Sequence, residues 1–116
     1  VRSRPVMLAR PRDFAALQER GTMRAHPLLA ARILRTELEV TRFGMATSRT
    51  IGSAVVRNRV RRRIREALRS MEPMIQPGWD VLLIARTGLV EVDYDTLFKT
   101  LRRQLVRGGV LEGSHQ

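Results

Sequence analysis

Arg57-Asn58-Arg59-Val60-Arg61-Arg62-Arg63-Ile64-Arg65-Glu66-Ala67-Leu68-Arg69 sets seven arginines into thirteen consecutive residues. The apolar residues of this stretch decide what it is. Counted from Val56, they fall at Val60, Ile64, Ala67, Leu68 and Met71, the spacing of one face of an α-helix. At about 100° per residue they span an arc of roughly 120°. Arg61, Arg65, Asn58, Arg69, Arg62, Arg59 and Arg63 sweep the remainder, with Arg57 at the border. The spacing predicts a helix from Ala54 to about Met71, capped by Ser53, with one side on a core and guanidinium groups turned to a partner. A merely solvated face would mix signs, but only Glu66 and Glu72 oppose the seven arginines. The i,i+4 pairs Arg57/Arg61, Arg61/Arg65 and Arg65/Arg69 each cost about a few tenths of a kcal/mol. The pattern favours a nucleic acid as partner.

Composition agrees. The chain has 116 residues, enough for one domain, and carries 22 basic against 11 acidic residues for a net charge of +11 and a pI near 11.8. All the basic residues except Lys99 are arginine, whose planar fork suits bidentate contact with phosphate and stacking on bases. A domain this charged repels itself, and a polyanion relieves that repulsion. With no cysteine, disulfides, iron–sulfur clusters and cysteine-based zinc sites are excluded. His26 and His115 form no metal-ligand pattern, and no apolar run reaches the roughly 18–20 residues of a membrane span. Without a signal-peptide pattern, the expected location is the cytoplasm, with no membrane partner.

Outward from the arginine helix, the chain reads as α-β-β-β-α-β-α, a two-layer α/β (α+β) sandwich. Residues 1–11 are expected to be a flexible basic N-terminal arm, residues 12–108 a single nucleic-acid-binding α/β domain, and residues 109–116 a disordered tail. Asp13 opens a short helix to about Glu19 or Arg20, with Phe14 and Leu17 on one face and Gly21 as stop signal. Leu28–Leu34 and Val40–Thr47 read as strands, with Leu38 between Glu37 and Glu39 in a hairpin connection. Ser48 to Ser53 is a loop that can hold one short strand pair. Pro73, Pro77 and Gly78 end the arginine helix. Trp79–Ala85 is apolar enough for a central strand covered on both faces. A last helix begins at Asp93 or Asp95, which cap it, buries Leu97, Phe98, Leu101 and Leu105, and stops at Gly108-Gly109.

The chemistry-bearing candidates are few. Asn58 can hydrogen-bond a ribose or a base edge. Ser48-Arg49-Thr50-Ile51-Gly52 can seat a phosphate on backbone amides, although an ordinary strand-to-helix turn explains the same residues. Phe14 and Phe43 can stack on bases or serve the core. No Ser/His/Asp set, metal cluster or P-loop appears, so the expected role is to position or neutralise nucleic acid. A ribosomal or other structural RNA-binding protein shares these traits. A DNA-binding helix or a membrane-active helix fits less well, because the apolar face is expected to be buried in the domain itself.

The stretch Ser48 to Glu66, S-R-T-I-G-S-A-V-V-R-N-R-V-R-R-R-I-R-E, resembles the signature of the bacterial ribonuclease P protein subunit. The likeness extends to Arg12-Asp13-Phe14 with Gly21-Thr22, and to Gly78-Trp79-Asp80 with the strand that follows. It covers the chain from about Arg10 to Leu105. The resemblance implies an α/β sandwich with a left-handed βαβ crossover, against the general right-handed rule. It also implies a catalytic RNA partner that carries the Mg²⁺-dependent removal of 5′ leaders from precursor tRNA, the Mg²⁺ being bound chiefly by RNA and substrate. The protein would be a monomer in the holoenzyme, with no catalytic residue of its own. Arg57, Asn58, Arg59, Arg61, Arg62 and Arg65, with Arg49 and Ser48, would contact RNA. A cleft holding Phe14, Gln18 and Arg32 would guide the leader. Gln18 and Arg32 stand where relatives often carry aromatics, so weaker stacking is expected, with Arg32 supplying a cationic contact. Arg49 and Thr50 replace the family's usual lysine pair.

Overall fold

The arginine-rich segment is a helix over the span that its periodicity predicts. The computed structural model describes residues 5–113. In it the chain runs β1 (Val6–Met7), α1 (Pro11–Arg20), β2 (Thr22–Arg24), β3 (Leu29–Arg35), β4 (Arg42–Thr47), α2 (Ala54–Met71), β5 (Trp79–Ala85) and α3 (Tyr94–Arg107). Short 3-10 turns lie at Arg49–Ile51, Glu72–Met74 and Thr87–Glu91. Ser53 Oγ accepts the Val56 amide at 3.4 Å, and Asp93 caps α3 by accepting the Thr96 amide at 2.8 Å. Asp95 instead pairs with Lys99 at 3.0 Å.

The five strands form one sheet in the order β1-β4-β5-β3-β2. β5 lies at its centre, parallel to β4 and antiparallel to β3. This corrects the expected hairpin: β3 and β4 do not pair, because β5 is inserted between them. The connection carrying Leu38 passes over the start of β5, with Thr36 N donating to Gly78 O at 2.7 Å and Gly78 N to Val40 O at 3.3 Å. The expected extra strand at Ser48–Ser53 is a 3-10 turn. Instead, β1 and β2 complete the sheet; at 2 and 3 residues they are too short to show a period of two.

The arm and tail expectations also change. Residues 5–10 are not loose, since β1 pairs in parallel with β4 and Leu8 is buried. α1 begins at Pro11, one residue before the expected domain start. Past α3, Val110 and Leu111 are buried apolar side chains, and Leu111 bridges to Ile75, so the chain is packed through this point. Residues 1–4 and 114–116 of the expected arm and tail lie outside the described residues. Gly21 ends α1 for a reason other than a left-handed turn. Its φ is −74°, but a Cβ there would come within 2.5 Å of Leu17 O and 2.8 Å of Arg32 Cγ.

The alternation of the strands divides the core. Leu29, Ala31 and Ile33 of β3, Val81, Leu83 and Ala85 of β5, and Phe43 of β4 face α2 and α3, which bury Val60, Ile64, Leu68, Leu97, Leu101 and Leu105 against them. On the other face Leu82 meets Leu8 and Leu17. β5 is thus covered twice, as its apolar run Val81–Ala85 requires. Gln104, on the buried side of α3, donates to Arg24 O at 2.9 Å and Leu29 O at 3.0 Å, tying that helix to β2 and β3. Trp79 is a packing residue, half-buried with the Arg35 guanidinium 4.9 Å from its ring centroid.

Two segments of the recognised sequence pattern meet in one ion cluster. Arg42 grips Asp80 with two N–H groups, at 2.9 and 2.7 Å, and reaches Asp13 in the first turn of α1 at 3.3 Å. The Asp80 side chain is 4% exposed and that of Arg42 23%. The hydrogen bond to Asp80 leads the effects that hold the Arg42 guanidinium above its ordinary pKa, against the opposing effect of burial. Removing Arg42 would strand a buried carboxylate. Arg42→Ala is therefore expected to cost about 3 kcal/mol, read from urea unfolding. Arg42→Ala together with Asp80→Asn should recover part of that loss.

The α3 cap is pH-dependent. The Thr96 amide, and then its hydroxyl, hold the exposed Asp93 carboxyl below the usual range. Its contribution is complete above the unfolded value, about 3.9, and lost as pH falls through the lower folded value. Asp93→Asn should flatten the acid limb of a stability profile below about pH 4. An acid limb identical to that of the parent chain would detach the cap from acid unfolding.

Candidate nucleic-acid interface

The arginine helix begins where the sheet ends. β4 leads through Ser48 into the 3-10 turn and then α2, so the N-terminus of α2 stands near the carboxyl ends of β4 and β5. Gly52 turns the chain there with φ of +149°, a value that L side chains rarely adopt. The turn uses its own amides: Ile51 N donates to Ser48 O and Gly52 N to Arg49 O. Those two amides are therefore not open to a phosphate. Ser48 and Thr50 hydrogen-bond each other through their hydroxyls, on the exposed side of the turn with Arg49.

The seven arginines of α2 divide by what they touch. Arg57 donates to Gly52 O at 2.8 Å and Arg63 to Val92 O at 2.7 Å, so both brace the fold. Arg61 donates to Asn58 Oδ1 at 2.8 Å, which fixes Asn58 with its amide N–H groups free to donate. Arg59, Arg62, Arg65 and Arg69 make no ion pair with any described residue. Even Glu66, beside Arg62, Arg65 and Arg69, bridges none of them. Among the described residues these guanidinium groups have no hydrogen-bond partner.

Two grooves flank the helix. One of about 520 Å³ lies over the carboxyl ends of β4 and β5, lined by Ala46, Thr47, Ser48, Thr50, Arg61, Ile84, Arg86 and Thr87 among others. The other, about 330 Å³, is lined by Pro5, Met7, Arg62, Arg65, Glu66 and Arg69. Of the residues singled out in the sequence, the structure brings Ser48 and Arg61 into the first groove and Arg62 and Arg65 into the second. Arg49, Asn58 and Arg59 are exposed on the same end of the molecule or along the helix. Sequence reasoning placed Arg69 on the outward face of the helix, but missed Arg86 and Thr47. The position of Arg86, just past a strand end next to a parallel neighbour, is a known locus for ligand sites. That signal becomes readable only once β4 and β5 are seen to be adjacent.

The cleft residues line up across the sheet. Arg32, Leu82 and Gly44 sit in one row on neighbouring strands, and α1 lies over that row. Phe14 rests on Gly44, where a Cβ would come within 2.6 Å of Phe14 Cε1, and Gly21 rests on Arg32. The next row, Ala46 and Ile84, is only half-buried and forms a floor shared with the larger groove. Gln18 is exposed on α1. Arg32 has a partly structural task, since its Nη1 donates to Gly21 O at 3.2 Å beneath the carboxyl end of α1, where a cation also suits the helix dipole. Its Nε is buried without a partner.

Among the described residues, no group of three His, Asp or Glu side chains could hold a metal. Guanidinium groups line both grooves, which suits anions and repels a divalent cation. No helix among the described residues is long and apolar enough to cross a membrane.

Comparison with known proteins gives this geometry its context. The sequence matches the family model described as Ribonuclease P over residues 3–108. The chain belongs to the ribonuclease P protein family. It is thus a protein component of the ribonucleoprotein endoribonuclease that processes tRNA 5′ ends. Among curated relatives, the ribonuclease P protein component of Roseiflexus castenholzii is 35% identical over 112 residues, covering 96% of this chain and 92% of the relative. That of Herpetosiphon aurantiacus is 36% identical over 98 residues, covering 84% and 80%. The RNase P protein from Thermotoga maritima superposes with a TM-score of 0.81 at 27% identity, covering 92% of this chain and 98% of that one. The Staphylococcus aureus RNase P protein shares the fold, with a TM-score of 0.83 at 23% identity, over 91% and 97%.

The division of the arginines is testable without RNA. Arg57→Ala and Arg63→Ala should each lower unfolding free energy by about 1 kcal/mol, because each loses a hydrogen bond to a backbone carbonyl. Arg62→Ala and Arg65→Ala should leave it unchanged or raise it slightly, by easing like-charge repulsion. Denaturant midpoints of the four variants check the division.

Proposed function

We propose that this protein binds the catalytic RNA of ribonuclease P through α2 and holds the 5′ leader of precursor tRNA across the sheet. The observation that carries the reading is the set of uncompensated guanidinium groups Arg59, Arg62, Arg65 and Arg69, on the same helix that sends Arg61 into the groove floored by Ala46 and Ile84. Arg59, Arg62 and Arg65 take phosphates of the RNA, with Asn58 free to donate to a ribose or base edge. Ser48, Arg49, Arg61 and Arg86 take backbone phosphates of the leader as it leaves the floor at Ala46 and Ile84. Phe14, next to that floor, offers an aromatic edge for a leader base, Gln18 a polar contact and Arg32 a nearby positive charge.

The protein supplies neutralisation and position, and no catalytic group. Hydrolysis belongs to the RNA with its own Mg²⁺, and no step passes through a metal held by this chain. Placing cations where two polyanions meet lowers their repulsion, so less Mg²⁺ is needed to bring substrate to catalyst. In the holoenzyme one protein copy acts with one RNA in the cytoplasm.

The test is precursor-tRNA cleavage by a bacterial ribonuclease P RNA at low Mg²⁺, with and without the protein. Faster cleavage at the mature 5′ end, absent without the RNA, is expected; binding to the RNA with no gain in cleavage would overturn the leader role. With about five phosphates contacted, log K should fall against log salt with a slope of roughly −3.5 to −4.5. Arg59→Ala or Arg62→Ala should weaken RNA assembly and lower that slope by about 1. Phe14→Ala should weaken precursor binding by about 1–3 kcal/mol while leaving mature tRNA affinity unchanged, compared by filter binding to the assembled holoenzyme.

A further inference from the structure

Beside β1 the surface changes character. A groove of about 280 Å³ is lined by Val6, Val40, Ile75 and Pro77 together with the carboxylates Glu39 and Glu72. Val6 and Val40 each leave 44% of their surface exposed, and neither glutamate pairs with a described basic residue. On a chain of net charge +11, this groove is lined by apolar side chains and carboxylates with no arginine among them. It borders the arginine-lined groove, for Pro5 lines both.

β1 is also an end strand of the sheet. Leu8 N donates to Phe43 O at 2.8 Å, and Met7 lies opposite Phe43. In a parallel ladder this alternation turns the Met7 N–H and C=O away from β4. An outward backbone donor and acceptor, exposed valines and two unpaired carboxylates together describe a complementary occupant: an extended protein segment whose aliphatic side chains alternate with lysine or arginine. Such a segment hydrogen-bonds the edge, sets its aliphatic side chains on Val6 and Val40, and brings its cations to Glu39 and Glu72.

We propose that the β1 edge is a docking surface for a basic, extended segment of a protein partner, used beside the RNA-binding helix and independently of it. The probe is a fluorescein-labelled peptide, Lys-Val-Arg-Val-Lys-Val, titrated with the full chain by anisotropy. Saturable binding is expected, weakened at least about tenfold, or roughly 1.4 kcal/mol, by Glu39→Lys with Glu72→Lys. Both positions line the groove at the surface, and a thermal melt checks that the variant folds. Arg62→Ala with Arg65→Ala should leave peptide affinity unchanged. A peptide with proline in place of the central valine should bind more weakly, since it lacks a ladder donor. Equal affinity for the parent chain and the glutamate variant, or no saturation up to about 1 mM, would overturn the proposal. Sedimentation of the parent chain supplies the other arm. A dimer abolished by the same glutamate substitutions would reassign the edge to a second copy of this chain.

Discussion

The parallel pairing of β4 with β5 is the constraint from which most of this structure follows. Adjacent parallel strands cannot be joined by a tight turn; the chain must cross back over the sheet in a dozen or more residues. Here α2 is that crossover, and its burial is imposed from both ends. It leaves β4 through a short turn and delivers the chain to the start of β5. Val60, Ile64, Ala67, Leu68 and Met71 are then buried on the sheet, and the arginines between them have only outward directions left. The carboxyl ends of β4 and β5 and the amino end of α2 gather at one end of the domain, which is where the larger groove opens.

A helix with so much like charge forms because tertiary burial outweighs its own repulsion. Three i,i+4 arginine pairs cost about a few tenths of a kcal/mol each, whereas a single fully buried Ile or Leu side chain returns about 1.5–3 kcal/mol. The fold also lightens the electrostatic load by directing Arg57 and Arg63 to backbone carbonyls. All seven arginines of α2 keep their charge, and Arg59, Arg62, Arg65 and Arg69 also have no hydrogen-bond partner among the described residues. Several acidic residues have structural tasks or a separate place: Asp13 and Asp80 are committed to Arg42, Asp93 caps α3, and Glu39 and Glu72 line the groove beside β1.

Arg42 shows how a conspicuous sequence pattern can serve the scaffold. Arg12-Asp13-Phe14 and Gly78-Trp79-Asp80 look like parts of a binding signature, yet Asp13 and Asp80 converge on one guanidinium that fixes the start of α1 against the sheet. Only Phe14 of these faces the candidate cleft, and its seat depends on Gly44, which leaves room for the ring. Arg32 likewise stands at the cleft while one of its N–H groups holds Gly21 O. Positioning and binding are shared among neighbouring residues of one row.

The sequence by itself determined the long elements and the chemistry of the main face. Apolar periodicity placed α2 and α3 nearly to the residue, the largely apolar stretch Trp79–Ala85, interrupted only by Asp80, marked a twice-covered strand, and the arginine excess on α2 followed from counting. These properties are local, since each is written in residues a few positions apart. The tertiary structure decided what depends on neighbours far along the chain. It inserted β5 between β3 and β4 in place of a hairpin, because the central strand had apolar faces and two open edges to satisfy. It also drew Val6–Met7 and Thr22–Arg24 into the sheet, where cross-strand hydrogen bonds compensate for segments too short to declare themselves. Arg86 entered the candidate site in the same way, for its nearness to Arg61 exists only once two strands separated by a whole helix lie side by side.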